Sequence, residues 1–315
     1  MSMYRDGLPQ MQDRLFLTDG GLETSLIFHQ GVELPHFASF HLMRDAEGRA
    51  KLTDYSRPFL ATAQGGGYGF VLDTPTWRAN ADWGEKLGYS AQALAAVNRQ
   101  AVALMDELRA EYVGGDFPIV LSGAIGPRGD GYVAGDVMSV SEAEAYHSAQ
   151  IESFADTNAD MVTAFTMNNV PEAAGITRAA QRANIPVAIS FTVETDGRLP
   201  AGQSLREAIE AVDDQTGGGP AYYMINCAHP VHFMQALEAG ATWMQRLRGI
   251  RANASQRSHE ELDQSPDLDD GNPVELGQQY RTLRTRFPHI TILGGCCGTD
   301  HRHVASIGHA CKMAA

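Results

Sequence analysis

Residues 290–299 read ITILGGCCGT, an apolar run followed by two glycines, two adjacent thiols and a third glycine. A second apolar run, Tyr222 to Asn226, leads directly into Cys227. Both runs have the length and the continuous apolar character of parallel strands that are buried on both faces. All three thiols therefore lie at the carboxyl ends of predicted strands. In a closed parallel barrel, that edge carries the active site.

Short apolar runs of this kind alternate with helical patterns along the whole chain. This alternation predicts an α/β fold, a single-domain (β/α)8 (TIM) barrel that spans residues 1–315. The predicted strands are Leu15–Thr18, Gly69–Asp73, Ile119–Ser122, Met161–Phe165, Val187–Phe191, Tyr222–Asn226, Thr242–Leu247 and Ile290–Leu293. The predicted helices between them include Ala91–Tyr112, Ser141–Thr157, Pro171–Ala183, Leu205–Thr216 and Pro273–Phe287.

Composition limits the partners that the protein can have. The chain has 315 residues and a formal net charge of -14, and it offers no basic patch that could neutralise phosphates, so we expect no nucleic-acid or membrane partner. The opening residues contain no apolar signal segment, which favours the cytoplasm and reduced thiols. The expected partners are small molecules, and a homo-oligomer remains open. Residues 255–272 are acidic and without apolar periodicity, so we interpret them as an exposed loop insertion.

The three thiols fit an open zinc site, in which three protein ligands leave the fourth position for water or substrate. Gly294, Gly295 and Gly298 are expected to supply the backbone freedom that turns both Cys296 and Cys297 toward one ion. A packing role is the better interpretation of the fourth cysteine, Cys311, which lies a dozen residues along the last predicted helix. Nearby histidines at positions 229, 232, 301 and 303 are rival ligands, for which we favour surface roles.

Several segments resemble, in order and spacing, the homocysteine S-methyltransferase family, and the resemblance covers nearly the whole chain. It implies a barrel in which Cys227, Cys296 and Cys297 bind a zinc ion that takes up the thiolate of the acceptor. It also implies that Asp19 and the backbone of Gly20 and Gly21 help to hold that acceptor. The segments are Asp19–Thr24, Gly123–Pro127, Ser190–Thr192, Asn226–Cys227 and Gly294–Gly298.

One departure from the family pattern concerns the acceptor. In the family, the fourth strand commonly ends in a Glu-Thr pair whose carboxylate grips the amino group of homocysteine, whereas this chain has Phe165 and Thr166. Either the acceptor differs from homocysteine at this contact, or another acid such as Glu194 substitutes. Further candidate substrate-binding residues are Asp73, at the second strand end, and Asn226, beside Cys227.

These residues predict a zinc-dependent S-methyltransferase, because coordination would deprotonate an acceptor thiol and fix its sulfur for attack on a methyl group. The expected donor is an onium compound of the S-methylmethionine, S-adenosylmethionine or betaine type. The expected acceptor is homocysteine or a close analogue, and the product is methionine or its analogue. Two alternatives remain open: a zinc hydrolase with Asp73 or Asp19 as base, and a non-enzymatic zinc- or redox-sensing protein.

Overall fold

The computed structural model describes residues 2–112 and 116–312, and its centre is a closed barrel of eight parallel strands in sequential order. The barrel closes where Phe16 and Leu17 of the first strand pair with Ile292 and Leu293 of the last. The prediction of a single (β/α)8 barrel is confirmed. The strands are β1 (Phe16–Leu17), β2 (Gly69–Asp73), β3 (Ile119–Ile125), β4 (Met161–Met167), β5 (Val187–Phe191), β6 (Tyr222–Asn226), β7 (Leu247–Ala252) and β8 (Ile292–Gly295).

Helices surround the barrel, and the longer ones bury an apolar face against the strands. Ser204 caps α7 through a reciprocal capping box with Glu207, and Ser139 caps α5 in the same way with Glu142. No helix in the described part of the chain is long and apolar enough to cross a membrane. The helices are α1 (Leu22–Thr24), α2 (Ala46–Gly66), α3 (Ala81–Lys86), α4 (Ala91–Ala110), α5 (Val140–Ala155), α6 (Val170–Arg182), α7 (Leu205–Thr216), α8 (Pro230–Phe233), α9 (His259–Asp263), α10 (Pro273–Arg286) and α11 (His301–Lys312).

The seventh strand was predicted in the wrong place. The predicted segment, Thr242–Leu247, forms a 3-10 helix over Thr242–Arg246, and the strand occupies Leu247–Ala252 instead. Two arginines, Arg248 and Arg251, interrupt the apolar run of the true strand and hide its pattern in the sequence. The error matters because β7 carries a residue of the site at its carboxyl end.

The amino-terminal segment closes the end of the barrel that lies opposite the site. Asp160, which precedes β4, accepts hydrogen bonds from the backbone amides of Met3 at 2.7 Å and Tyr4 at 2.8 Å. Leu8 packs against the apolar side chains that fill the barrel interior, among them Phe16 and Tyr222. This segment covers the amino-terminal end of the barrel, and the candidate site lies at the opposite end, where the strands have their carboxyl ends.

Residues 255–272 are less irregular than predicted. They contain the short helix α9, which begins with a capping box between Ser258 and Glu261. The same segment places His259 over the carboxyl end of β6, where its Nε2 lies 2.5 Å from the carbonyl oxygen of Cys227. The acidic insertion therefore packs on the open end of the barrel.

Candidate active site

The three cysteines that were predicted to act together lie together. The Sγ atoms of Cys227, Cys296 and Cys297 all lie within 4.8 Å of one another. Cys227 follows β6, and the other two follow β8, so the barrel brings together thiols that are 69 residues apart in the sequence. Among residues 2–112 and 116–312, no other group of three His, Cys, Asp or Glu side chains meets the same test.

Cys227 and Cys296 are joined by a disulfide, whereas we expected free thiols. Their Cα atoms lie 5.3 Å apart, within the range that a disulfide requires. Strand ends that converge closely enough to share a metal ion also bring sulfurs close enough to bond to each other. Cys297 is free, and so is Cys311, which is buried among apolar side chains as predicted.

The donor set fits zinc once the disulfide is reduced. The three sulfurs lie within 4.8 Å of one another, and two zinc–sulfur bonds of about 2.3 Å span at most about 4.6 Å, so small side-chain movements bring all three to a single ion. Burial raises the pKa of the Cys297 thiol to about 11, although the hydroxyl of Tyr132 lowers it in part. A neutral thiol of this kind needs a bound cation to become a thiolate.

Asn226 fixes the backbone that presents Cys227. Its Oδ1 accepts hydrogen bonds from the amide of Thr166 at 2.9 Å and from the hydroxyl of Ser190 at 2.7 Å, and its Nδ2 donates to Thr166 Oγ1. Both Cys227 and Thr166 have left-handed backbone conformations, with φ of 54° and 60°. Such conformations cost energy in non-glycine residues and persist where neighbours enforce them. Asn226 supplies that enforcement across β4, β5 and β6.

The glycines around the thiol pair act differently from our expectation. Only Gly298, with φ of 79°, uses the left-handed conformation that glycine permits. Gly294 and Gly295 lie in β8, where their role is to leave space. A Cβ on Gly294 would lie 1.9 Å from Thr18 Oγ1, so this strand approaches β1 more closely than any side chain would allow.

A cavity at the carboxyl end of the barrel holds the thiols together with nearly all the other predicted residues. Glu194 is the exception: it does not line the cavity, and its Oε1 lies 3.2 Å from His259 Nδ1. The predicted residues that line the cavity are Asp19, Gly20, Gly21, Asp73, Phe165, Thr166, Asn226, Cys227, Cys296 and Cys297.

Arg251, at the end of β7, is a cavity residue that the sequence analysis missed. Its guanidinium donates to Asp73 Oδ2 at 2.6 Å, to Asp19 Oδ1 and to the carbonyl oxygen of Gly295 at 3.0 Å. The ring centroid of Phe165 lies 4.8 Å from the guanidinium carbon, so a phenyl face covers the same cation. Because the seventh strand was predicted too early in the chain, Arg251 was not expected at a strand end.

The electrostatics of this cluster follow from burial. Burial raises the pKa of Asp73 to about 6, although the nearby charge of Arg251 lowers it. Burial likewise raises the pKa of Asp19, against the same opposing charge. The carboxylates of Asp19 and Asp73 outweigh the effect of burial on Arg251 and raise its pKa. One cation thus faces two acids, and the cluster carries a net negative charge when both are ionised.

Tyr132, in the loop between β3 and α5, and His259, the first residue of α9, lie beside the three cysteines. The hydroxyl oxygen of Tyr132 lies 3.9 Å from Cys297 Sγ, and its ring centroid lies 4.3 Å from that of His259.

The favoured surface role was wrong for His229 and for His303, which are both buried. His229 caps α8, and His303 Nε2 lies 2.7 Å from the carbonyl oxygen of Asp270.

The family pattern described as homocysteine S-methyltransferase matches residues 16–311 of the chain. The chain belongs to the homocysteine S-methyltransferase family. It is accordingly a methyltransferase, and the family resemblance seen in the sequence is confirmed. No curated protein matches the chain at a significant level.

Solved structures of the homocysteine methyltransferase MmuM from Escherichia coli share the fold. Its oxidized form has 18% sequence identity and a TM-score of 0.74, with 95% of this chain and 96% of that chain covered. Its metallated form has 19% identity and a TM-score of 0.70, with the same coverage. At such low identity the likeness establishes the barrel alone, so the roles of individual residues rest on the geometry described above.

Proposed function

We propose that the protein is a zinc-dependent thiol S-methyltransferase that moves a methyl group from an onium donor to homocysteine or a close analogue. The observation that carries the proposal is the convergence of three sulfurs on one point inside the cavity that Asp19, Gly20 and Gly21 also line. A thiol acceptor bound there would have its sulfur beside Cys227, Cys296 and Cys297. Its polar end would face Asp19, Asp73 and Arg251, which together form the acid–arginine cluster.

The three cysteines would hold the metal. Bound zinc supplies the deprotonation of the acceptor thiol near neutral pH and the fixed position of its sulfur. Asn226 keeps Cys227 in the conformation that points its sulfur toward the other two, and its Nδ2 lies 3.9 Å from Cys296 Sγ. Tyr132 covers the free thiol of Cys297 and restricts the approach of water.

The cavity also suits a cationic methyl donor. Asp19, Glu23 and Asp73 contribute three acids to its lining, against the single cation of Arg251. The aromatic rings of Trp77 and Phe165 line it as well, and aromatic faces attract onium groups. Phe191, at the end of β5, is buried in the core and does not line the cavity.

An assay of reduced, zinc-loaded protein across a panel of thiols and methyl donors tests the proposal. We expect methyl transfer from a sulfonium or quaternary ammonium donor to homocysteine or a related thiol, and none from protein stripped of zinc. X-ray absorption should show one additional zinc–sulfur contact at about 2.3 Å when the thiol is added. A metal shell that saturating thiol leaves unchanged would favour the hydrolase alternative.

A further inference from the structure

We infer that Asp73, held in place by Arg251, receives the ammonium group of an amino-acid thiol in the acceptor site. The inference rests on the proposed function, because it names the kind of thiol that the sulfur site accepts. It assigns a specificity residue that the sequence suggested only as one candidate among several.

The two oxygens of the Asp73 carboxylate have different surroundings. Oδ2 accepts a hydrogen bond from Arg251 Nη1 at 2.6 Å, while Oδ1 is buried and has no donor in good hydrogen-bond geometry. The hydroxyl of Ser122, on the neighbouring strand, lies close to the carboxylate but is hydrogen-bonded to Thr163 Oγ1 at 2.8 Å. Only 7% of the Asp73 side chain is exposed. Buried carboxylate oxygens without a donor are rare in folded proteins, which points to a donor that arrives with the ligand.

The charge of the cluster specifies the nature of that donor. Asp19 and Asp73 share one guanidinium, so a ligand that brings a positive charge would complete the pairing. An ammonium group has three N–H donors and a compact charge, and it suits a single carboxylate oxygen better than a neutral donor does.

The position of the cluster fixes the class of ligand. Asp73 lines the same cavity as the three thiols. Arg251 pairs with Asn226 on β6 and with Gly294 on β8, close to the cysteines that follow these two strands. A ligand that reaches both the sulfur site and Asp73 must have a thiol at one end and an ammonium group at the other. Phe165 lies over Arg251, on the strand end where the family commonly has a glutamate, and it offers no carboxylate.

The test compares L-homocysteine with 4-sulfanylbutanoic acid, which is the same thiol without the ammonium group. Calorimetry on the zinc-loaded protein measures both dissociation constants in the absence of a methyl donor. We expect the wild type to bind homocysteine at least about tenfold more tightly. Asp73→Asn should weaken homocysteine binding about tenfold to hundredfold and leave the affinity for 4-sulfanylbutanoic acid within about threefold.

The matched control is Asp213→Asn, which breaks an aspartate–arginine pair of the same kind, with Arg246, outside the cavity. It should leave both affinities unchanged, and zinc content and thermal unfolding should show that each variant is folded. Equal weakening of both thiols by Asp73→Asn, or weakening of neither, would overturn the inference. Selective binding without methyl transfer from any onium donor would instead overturn the proposed function, and a wild type that binds neither thiol would overturn both.

Discussion

The sulfur cluster (Cys227, Cys296 and Cys297) and the acid–arginine cluster (Asp19, Asp73 and Arg251) lie in one cavity, and both need the folded barrel, yet only the first is marked by motifs that can be recognised in the sequence. Two of the three cysteines are adjacent in the chain, and short strand-end motifs position all of them. Arg251, in contrast, is 178 residues from Asp73 and 232 residues from Asp19, and the pairing exists only when the barrel closes. The first cluster offers three sulfurs that fit one zinc ion. The second, under the inference above, selects the thiol that the cavity accepts.

The largest effect is expected when the sulfur cluster loses one of its three thiols. Cys297→Ala should reduce the zinc content from about one per chain to near none and abolish methyl transfer, because two sulfurs do not complete the site. Metal analysis of protein purified under reducing conditions measures this directly. Cys311→Ala is the control: it removes the other free cysteine, which lies in the helix layer, and should retain the metal. Full zinc retention in Cys297→Ala would exclude the three-sulfur site.

The next effect is a loss of stability that is expected when the acid–arginine cluster loses its arginine. Arg251→Met leaves Asp19 and Asp73 buried without their cation, and we expect the free energy of unfolding to fall by about 3–5 kcal/mol. Urea unfolding of the reduced protein measures the change. Arg246→Met removes an arginine whose side chain is 30% exposed and should cost only about 1 kcal/mol. Equal losses of unfolding free energy in the two variants would show that the buried pairing of Arg251 contributes no more stability than the partly exposed pairing of Arg246.

The same contrast explains which parts of the molecule were predictable from the sequence. Strands β2, β5 and β6 were predicted with their observed bounds, because a continuous apolar run between turn residues is a local signal. The cysteine motifs are equally local. β7 failed because Arg248 and Arg251 interrupt its apolar pattern, and arginines in a strand are explained only by partners that lie far away in the sequence.

Glu194 illustrates the same limit from the other direction. It follows β5 closely in the sequence, and it was one predicted substitute for the missing glutamate. In the structure it instead faces His259, which comes from the acidic insertion at residues 255–272. No local pattern in the sequence could show that the insertion folds back over the barrel and places His259 against Glu194. Nor could it show that Oδ1 of Asp73 is left without a donor in good geometry.

The smallest effect is on the pH dependence of the preference between two thiols. This preference reports on the acid–arginine cluster alone, independently of the sulfur cluster. Because the pKa of Asp73 is raised to about 6, its carboxylate is ionised above that pH and becomes neutral below it. The preference for homocysteine over 4-sulfanylbutanoic acid should therefore fall about tenfold as the pH drops from 7 to 5, while the ligand's ammonium group stays charged. Both thiols make the same sulfur contact, so any effect of pH on the metal site cancels in the ratio.

The groups that face Asp73 determine how this profile responds to mutation. Arg251 on β7 lowers its pKa and Asp19 after β1 raises it, so Arg251→Met should move the midpoint of the ratio to higher pH. Asp73→Asn should make the ratio independent of pH over the same range. A ratio that still falls below pH 6 in Asp73→Asn would transfer the ammonium contact to Asp19, whose raised pKa has the same origin in burial. Selectivity for the ammonium group would then depend on Asp19 in the Asp19-Gly20-Gly21 motif and not on the pair of Asp73 and Arg251.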